Sequence, residues 1–194
     1  MTVPATALAV LDFWFGNSGA VGAEHGKALW FVKSAEVDDE IRARFLPTYE
    51  RAVSGQLDDW QQSALGSLAL VIVLDQFSRN MFRDTPRAFA SDPMALAVAS
   101  QAIEKGFDRQ LAPFERAFMY LPFEHSESLT DQQRSLELFA LLEAYPELAE
   151  MRRYAQLHYD VVKRFGRFPH RNAILGRESS EAERDFLGQP GSSF

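Results

Sequence analysis

Apolar residues recur every three or four positions along most of the chain, which is the period of an amphipathic α-helix. One stripe runs from Phe114 to Leu121, a second from Leu138 to Tyr145 and a third from Met151 to Phe165. Runs of β-branched residues, which are typical of buried strands, are almost absent, and only residues 70–74 approach one. The pattern therefore predicts an all-α fold of seven or eight helices with short connections.

Prolines and capping residues predict where several of these helices begin and end. A first helix is expected over residues 5–15, and a second from Ser34, which Pro47 should kink or restart. Residues 58–77 are apolar on nearly every side in their middle, which predicts a helix surrounded by others. Pro122 should break the helix that precedes it.

Further helix ends can be placed from short local patterns. Thr130 and Ser180 each precede a Gln or Glu by three residues, which is the spacing of a capping box. Asp92 stands before a proline and is expected to cap the helix behind it. Gly166 stands where a helix should end.

Composition indicates one domain and a reducing compartment. Residues 1–194 are expected to form a single α-helical domain with a Phe-rich core and a poorly ordered tail over about 188–194. The absence of cysteine excludes disulfides, cysteine nucleophiles and cysteine-ligated metal centres. No apolar run is long enough to span a bilayer, and the N-terminus lacks the basic region of a signal peptide. We therefore expect a cytoplasmic protein with no membrane partner.

The charge is unevenly distributed around a net value of −7. Residues 152–177 carry seven Arg or Lys against a single Asp, whereas the segments on either side are acidic. Such a basic block either pairs with the protein's own carboxylates or receives an external anion, and both interpretations stay open. The acidic chain and the shortness of the block disfavour nucleic-acid binding.

Common enzyme motifs are missing. Residues 22–28 are similar to a phosphate-binding loop, but one residue is missing between the glycines and Ala28 stands where Mg²⁺ needs a hydroxyl. The segment from His125 to Glu127 has the first part of a zinc-deaminase motif, whose cysteines the chain lacks. Neither motif therefore predicts a function.

Three polar stretches remain, and each interrupts apolar helices with groups that are costly to bury without partners. In the first, residues 75–80, Asp75 and Arg79 are one helical turn apart and can pair. They form either a structural ion pair that closes a buried helix or the charged floor of a pocket.

The second stretch is residues 122–127. In an extended segment His125 and Glu127 point to one side, which suits general acid–base catalysis or metal ligation. The alternative is a capped loop with an exposed histidine.

The third stretch, residues 165–177, combines arginines with phenylalanines and His170. Arg side chains bind carboxylate or phosphate through two hydrogen bonds, and Phe rings stack on planar groups. Alternatively, these arginines cover the core and tie the C-terminal segment to the acidic body.

His158 lies on the apolar stripe of its helix, where a lone histidine is usually a hydrogen-bonded core residue. If folding brings His125, His158 and His170 together with Glu127 or Asp75, a metal or proton-transfer site becomes possible, with His125 and His158 as the candidate metal ligands.

These stretches, DQFSRNMFR, LPFEHSE and FGRFPHRNAILGRES, together with VLDFWFG and LWFVKS, resemble the bacterial domain-of-unknown-function family DUF924 from about Val10 to Leu187. The resemblance implies an irregular array of packed helix hairpins in the tetratricopeptide-like superfamily. It implies no activity, cofactor or partner.

The first hypothesis for function is a binding protein for an anionic small molecule or peptide. Its pocket would be built from residues of the first and third stretches, namely Asp75, Arg79, Asn80, Arg167, His170, Arg171 and Asn172.

The second hypothesis is a hydrolase, in which His125 or His170 is the general base and Glu127 or Asp75 orients it, with or without a divalent metal. The third is a protein-interaction scaffold in which the polar stretches are only packed networks.

Overall fold

The computed structural model of the protein describes residues 3–16, 30 and 33–192, and across these ranges the regular structure is helical throughout, as predicted. Eight helices occur there when three consecutive sections of the third are counted together. They are α1 (Ala5–Phe15), α2 (Ala35–Val53), α3 (Ala64–Val71, Ile72–Phe77 and Ser78–Met81), α4 (Asp92–Glu104), α5 (Pro113–Glu124), α6 (Leu129–Ala140), α7 (Ala149–Phe165) and α8 (Glu181–Leu187). Short 3₁₀ helices connect them at Asp58–Gln62, Pro86–Phe89, Asp108–Gln110, Pro146–Leu148 and Pro169–Arg171.

Helix α3 lies at the centre of the fold and contacts α1, α2, α4 and α5. All residues from 66 to 75 are buried, which confirms the prediction of a helix surrounded by others. The predicted start at residue 58 is wrong, because the Ser63 hydroxyl accepts a hydrogen bond from the Gly66 amide and begins a new helix there. The middle section, Ile72–Phe77, is π-helical. The π-helix is wider than the α-helix and is rare overall, but it occurs frequently at functional sites.

Gly66 allows the preceding 3₁₀ helix to pack directly against α3. A Cβ atom at this position would lie 2.2 Å from the carbonyl oxygen of Trp60, far inside van der Waals contact. Only glycine therefore fits here without a shift of the backbone.

The core is rich in phenylalanine, as expected. The ring of Trp14 packs edge to face with Phe77 and Phe118, at centroid distances of 5.6 and 5.8 Å. Edge-to-face contacts of this kind add to the free energy gained from burial alone. Helix α6 packs against both α5 and α7, its neighbours along the chain.

The break predicted at Pro122 is wrong, and of the kink or restart predicted at Pro47 the restart does not occur. Helix α2 continues through Pro47, and α5 continues through Pro122 to Glu124. A proline removes one backbone hydrogen bond. The buried Phe45 and Tyr49 hold α2 against the core on both sides of Pro47, and Pro122 is itself buried in the last turn of α5.

The predicted caps are partly confirmed. Ser180 forms its capping box with Glu183, and Gly166 ends α7 with a left-handed φ of 70°. The prediction at Thr130 is wrong, because Ser128 caps α6 two residues earlier by accepting a hydrogen bond from the Asp131 amide.

None of the helices in the described part of the chain is long and apolar enough to cross a membrane. The segment similar to a phosphate-binding loop, residues 22–28, lies outside the described residues, as do the last two residues of the predicted tail. Within the described part of that tail, the Ser192 hydroxyl donates a hydrogen bond to the carbonyl of Leu187.

Candidate functional site

A buried carboxylate holds one nitrogen of a histidine at the end of α5. Nδ1 of His125 lies 2.8 and 3.0 Å from the two carboxylate oxygens of Asp75, which is fully buried in the π-helical section of α3. Burial disfavours ionisation of Asp75, but Arg79 and His125 outweigh it and hold the pKa of Asp75 well below its ordinary value. Because an ionised carboxylate only accepts hydrogen bonds, Nδ1 of His125 carries the proton and Nε2 carries the lone pair.

His125 is neutral in this environment. Burial lowers its pKa more than the attraction of Asp75 raises it. Its side chain is 15% exposed, so the imidazole meets solvent at one edge. The arrangement presents a neutral, oriented imidazole that can accept a proton or bind a metal.

Arg79 joins the first polar stretch to the start of α4. The predicted pairing with Asp75 is confirmed, since Nη1 lies 3.2 Å from Asp75 Oδ1. The guanidinium also donates two hydrogen bonds to Asp92, of 2.9 and 3.0 Å. Asp92 is the first residue of α4, and Ser91 occupies the N-cap position. The prediction that Asp92 caps this helix is therefore wrong, and its carboxylate binds arginine.

Arg171 shares Asp92 with Arg79 but is only weakly bound to it. Its Nη1 lies 3.3 Å from Asp92 Oδ2, and its guanidinium carbon lies 4.6 Å from the ring centroids of both Phe89 and Phe168. Burial lowers the pKa of Arg171 to about 10, so it stays charged at neutral pH. Its Nε is buried and has no hydrogen-bond partner in the described structure.

Asp92, His125 and Arg171 border a cleft of about 340 Å³. It lies between the start of α4, the end of α5 and the third polar stretch. The polar residues of its lining are Asp92, His125, Ser126, Glu127 and Arg171. The apolar residues of its lining are Pro86, Phe89, Ala90, Pro93, Leu96, Pro122 and Leu175. Folding thus brings the second and third polar stretches together at one hollow, with Asp75 and Arg79 directly behind it.

Glu127 fixes the third stretch rather than orienting a histidine. Its carboxylate accepts hydrogen bonds from Arg177, of 2.6 and 2.9 Å, and from the Phe168 amide at 2.7 Å. Burial disfavours the charge, but Arg177 and the amide hold the pKa of Glu127 below its ordinary value. The prediction of an extended conformation for residues 122–127 is wrong, since His125 has helical dihedral angles. Asp75 orients the His125 imidazole.

A second histidine lies behind the cleft. Nδ1 of His158 lies 2.9 Å from the Tyr154 carbonyl oxygen and 3.1 Å from Oε1 of Glu124. Both side chains are buried, and burial raises the pKa of Glu124 well above its ordinary value and lowers that of His158 to about 3. One ligand-type atom from each of Glu124, His125 and His158 lies within 4.8 Å of the other two.

Of the seven predicted ligand-binding residues, only Arg171 lines the cleft. Asp75 and Arg79 lie behind it, and three others bind partners elsewhere. Asn80 donates to Asp38 at 2.8 Å, and Asn172 donates to Ser179 at 3.0 Å. Arg167 pairs with Glu183 at 2.7 Å on a separate surface. Much of the basic block is therefore neutralised by the protein's own carboxylates.

His170, the remaining candidate, packs beside Phe168 at a ring-centroid distance of 5.6 Å and is absent from the cleft lining. Burial, aided by the charge of Arg171, lowers its pKa to about 4.

Two residues of the site were not singled out from the sequence. Asp92 was interpreted as a helix cap because it precedes a proline, and Glu124 as part of a loop because it follows Pro122. Glu124 directly precedes His125 in the sequence. This position indicates a shared site only when the helix is known to extend to Glu124.

A solved structure and a family model are both similar to this chain. Protein ATU0120 of Agrobacterium tumefaciens, a protein of unknown function, is 40% identical with a TM-score of 0.85, over 95% of this chain and 97% of that chain. No curated protein matches the chain significantly. A family model described as a bacterial protein of unknown function (DUF924) matches residues 10–191. Since that model spans nearly the whole sequence, the chain belongs to the DUF924 family.

Proposed function

We propose that the protein binds a small anionic molecule in the cleft, with Arg171 as the main contact for the anion. The observation that carries the proposal is the state of this guanidinium. It is 6% exposed and lies against Phe89 and Phe168, yet within the described part of the chain it donates a single hydrogen bond, of 3.3 Å, to a carboxylate that Arg79 already binds more closely. A buried cation with unused donors is stabilised by an anion that accepts from them.

His125 supplies a second polar contact beside Arg171. His125 lines the cleft, and since its Nδ1 is held by Asp75, its Nε2 is the nitrogen that can accept a hydrogen bond from a ligand hydroxyl or protonated acid. The apolar residues of the lining, largely Phe89, Leu96 and Leu175, suit an apolar group attached to the anion. A compact aromatic or aliphatic acid or phosphate ester satisfies both requirements.

Thermal-shift measurements test this proposal with acetate, benzoate, inorganic phosphate and phenyl phosphate as probes. We expect benzoate or phenyl phosphate to raise the melting temperature more than acetate or phosphate, and Arg171→Lys to reduce the shift. Lysine keeps the charge but loses the planar set of donors. Arg167→Gln is the matched control, since it alters a nearby arginine outside the cleft. Binding of no probe, or equal shifts in wild type and Arg171→Lys, contradicts the proposal and favours an interaction scaffold.

The Asp75–His125 pair favours a second candidate function, hydrolysis of the bound molecule. A carboxylate that fixes the tautomer of a neutral imidazole leaves Nε2 able to take a proton from an attacking water. We expect turnover of p-nitrophenyl phosphate or p-nitrophenyl acetate that is lost in His125→Gln and retained in His170→Gln. Equal rates in wild type and His125→Gln would count against this candidate.

A further inference from the structure

Three side chains of metal-ligand type meet where the end of α5 faces α7. Glu124 and His158 are almost completely buried, with side-chain exposures of 4% and 7%, and His125 connects them to the cleft. One ligand-type atom of each lies within 4.8 Å of the other two. Ligands on a tetrahedral zinc ion are about 3.4 Å apart, as follows from bonds of about 2.1 Å, so modest closure brings the three atoms around one ion.

Hydrogen bonds to protein acceptors fix both histidines in the form that binds metal. Asp75 accepts from Nδ1 of His125, and the Tyr154 carbonyl accepts from Nδ1 of His158 at 2.9 Å. In each ring Nε2 then carries the lone pair. Oε1 of Glu124 lies 3.1 Å from Nδ1 of His158, so one ion shared by both residues requires the imidazole or the carboxylate to turn. Histidines that bind metal ions nearly always donate their other nitrogen to a carboxylate or a backbone carbonyl in this way.

The surroundings of Glu124 contain polar atoms that the described structure leaves without hydrogen bonds. They are Oε2 of Glu124, Oε1 of Gln132 and Oγ of Ser135, all buried. Gln132 contacts Glu124 directly, since its Nε2 donates to the Glu124 carbonyl at 2.5 Å, and Ser135 follows one turn later on α6. Buried polar atoms without partners are rare in folded proteins, and a cation satisfies a carboxylate oxygen in this position.

We propose that Glu124, His125 and His158 form a binding site for a divalent transition metal, with zinc as the preferred ion. Two imidazole nitrogens and one carboxylate suit zinc, whereas Mg²⁺ prefers oxygen ligands. Three protein ligands would leave a fourth position on a tetrahedral ion, and His125 is the member of the three that lines the cleft.

The metal site does not depend on Arg171, but it shares His125 with the proposed anion site. A single lone pair on Nε2 of His125 cannot bind zinc and accept a proton at the same time. An ion held by these residues would supply the activation of water that His125 supplies in the second candidate function, and Arg171 would remain the contact for the anion.

Metal titration of the full-length protein tests the inference after dialysis against EDTA. We expect one Zn²⁺ per chain by elemental analysis, a rise in melting temperature with Zn²⁺ but not Mg²⁺, and at least tenfold weaker binding in Glu124→Gln and His158→Gln. His170→Gln is the matched control and should bind as wild type. Arg171→Lys should also keep full zinc affinity, which separates this site from the anion contact.

The inference is overturned if wild type takes up no zinc, or if both ligand variants bind it as tightly as wild type. Should the variants fail to fold by circular dichroism, Co²⁺ added to the wild type provides the second measurement. A visible absorption band typical of four-coordinate Co²⁺ supports the site, and its absence overturns it.

Discussion

Nδ1 of His125 lies 2.8 Å from the carboxylate of Asp75, a residue fifty positions earlier in the chain. This contact joins the π-helical section of α3 to the end of α5 and places a neutral imidazole at the edge of the cleft. Asp75 is fully buried, so its negative charge is balanced by Arg79, and its carboxylate accepts a hydrogen bond from this neutral histidine, with no contribution from water. Structure and candidate chemistry therefore depend on the same buried charge.

Replacing Gly66 by alanine should destabilise the protein, although alanine is the better residue in most helices. The added Cβ would meet the Trp60 carbonyl oxygen at 2.2 Å. We expect a loss of about 1–3 kcal/mol in the free energy of unfolding, measured by urea denaturation. Gly188→Ala is the control, because a Cβ there lies 3.6 Å from its nearest neighbour, and it should not destabilise. Equal effects of the two changes would contradict the close approach.

Removal of Arg79 should destabilise far more than removal of a surface arginine. Arg79→Ala leaves Asp75 and Asp92 without their closest cation, and we expect a loss of about 3 kcal/mol by chemical denaturation. Arg134→Ala breaks an exposed pair with Glu137 and should change stability by less than about 1 kcal/mol. A small effect at both positions would show that the Arg79 network is solvated.

Glu127→Gln should loosen the third polar stretch without unfolding the helices. The change removes the charge that binds Arg177 and weakens the acceptor of the Phe168 amide. We expect about tenfold faster hydrogen exchange at that amide, which corresponds to the loss of one charge-assisted hydrogen bond. Glu137→Gln alters an exposed pair and should leave this amide unchanged; similar exchange in both variants would argue against the tether.

Stability should fall on mild acidification, and His170 should account for part of the slope beside His158. Burial lowers the folded pKa of His170 to about 4, against an ordinary value of 6.5 in the unfolded chain. Between these pH values the unfolded chain binds a proton that the folded chain does not, so stability is greatest above pH 6.5 and decreases toward pH 4. One such group contributes at most about 1.4 kcal/mol per pH unit. Denaturation of His170→Asn across this range should show a shallower slope, and parallel slopes would refute the assignment.

The sequence predicts what depends on neighbours along the chain. The all-α fold follows from the 3.6-residue period, and the Asp75–Arg79 pair and the Ser180 capping box follow from spacings of four and three residues on one helix. The resemblance of the polar motifs to DUF924 is confirmed by the family model over residues 10–191.

Contacts between distant segments could not be predicted in the same way. Arg171 and Asp92 are 79 residues apart, and no local pattern shows that two arginines share this carboxylate. Pro122 suggested a break that packing prevents, and this concealed the helical position of Glu124 beside His125. Local propensity is a weak guide wherever burial decides the conformation.

The π-helical section Ile72–Phe77 carries core residues and the carboxylate of the site within the same six residues. Phe77 packs against Trp14, and Asp75 binds His125 at the edge of the cleft. A one-codon deletion in this section should therefore disturb cooperative melting and the Asp75–His125 contact together. Any change of the site is limited by the packing of the helix that carries it.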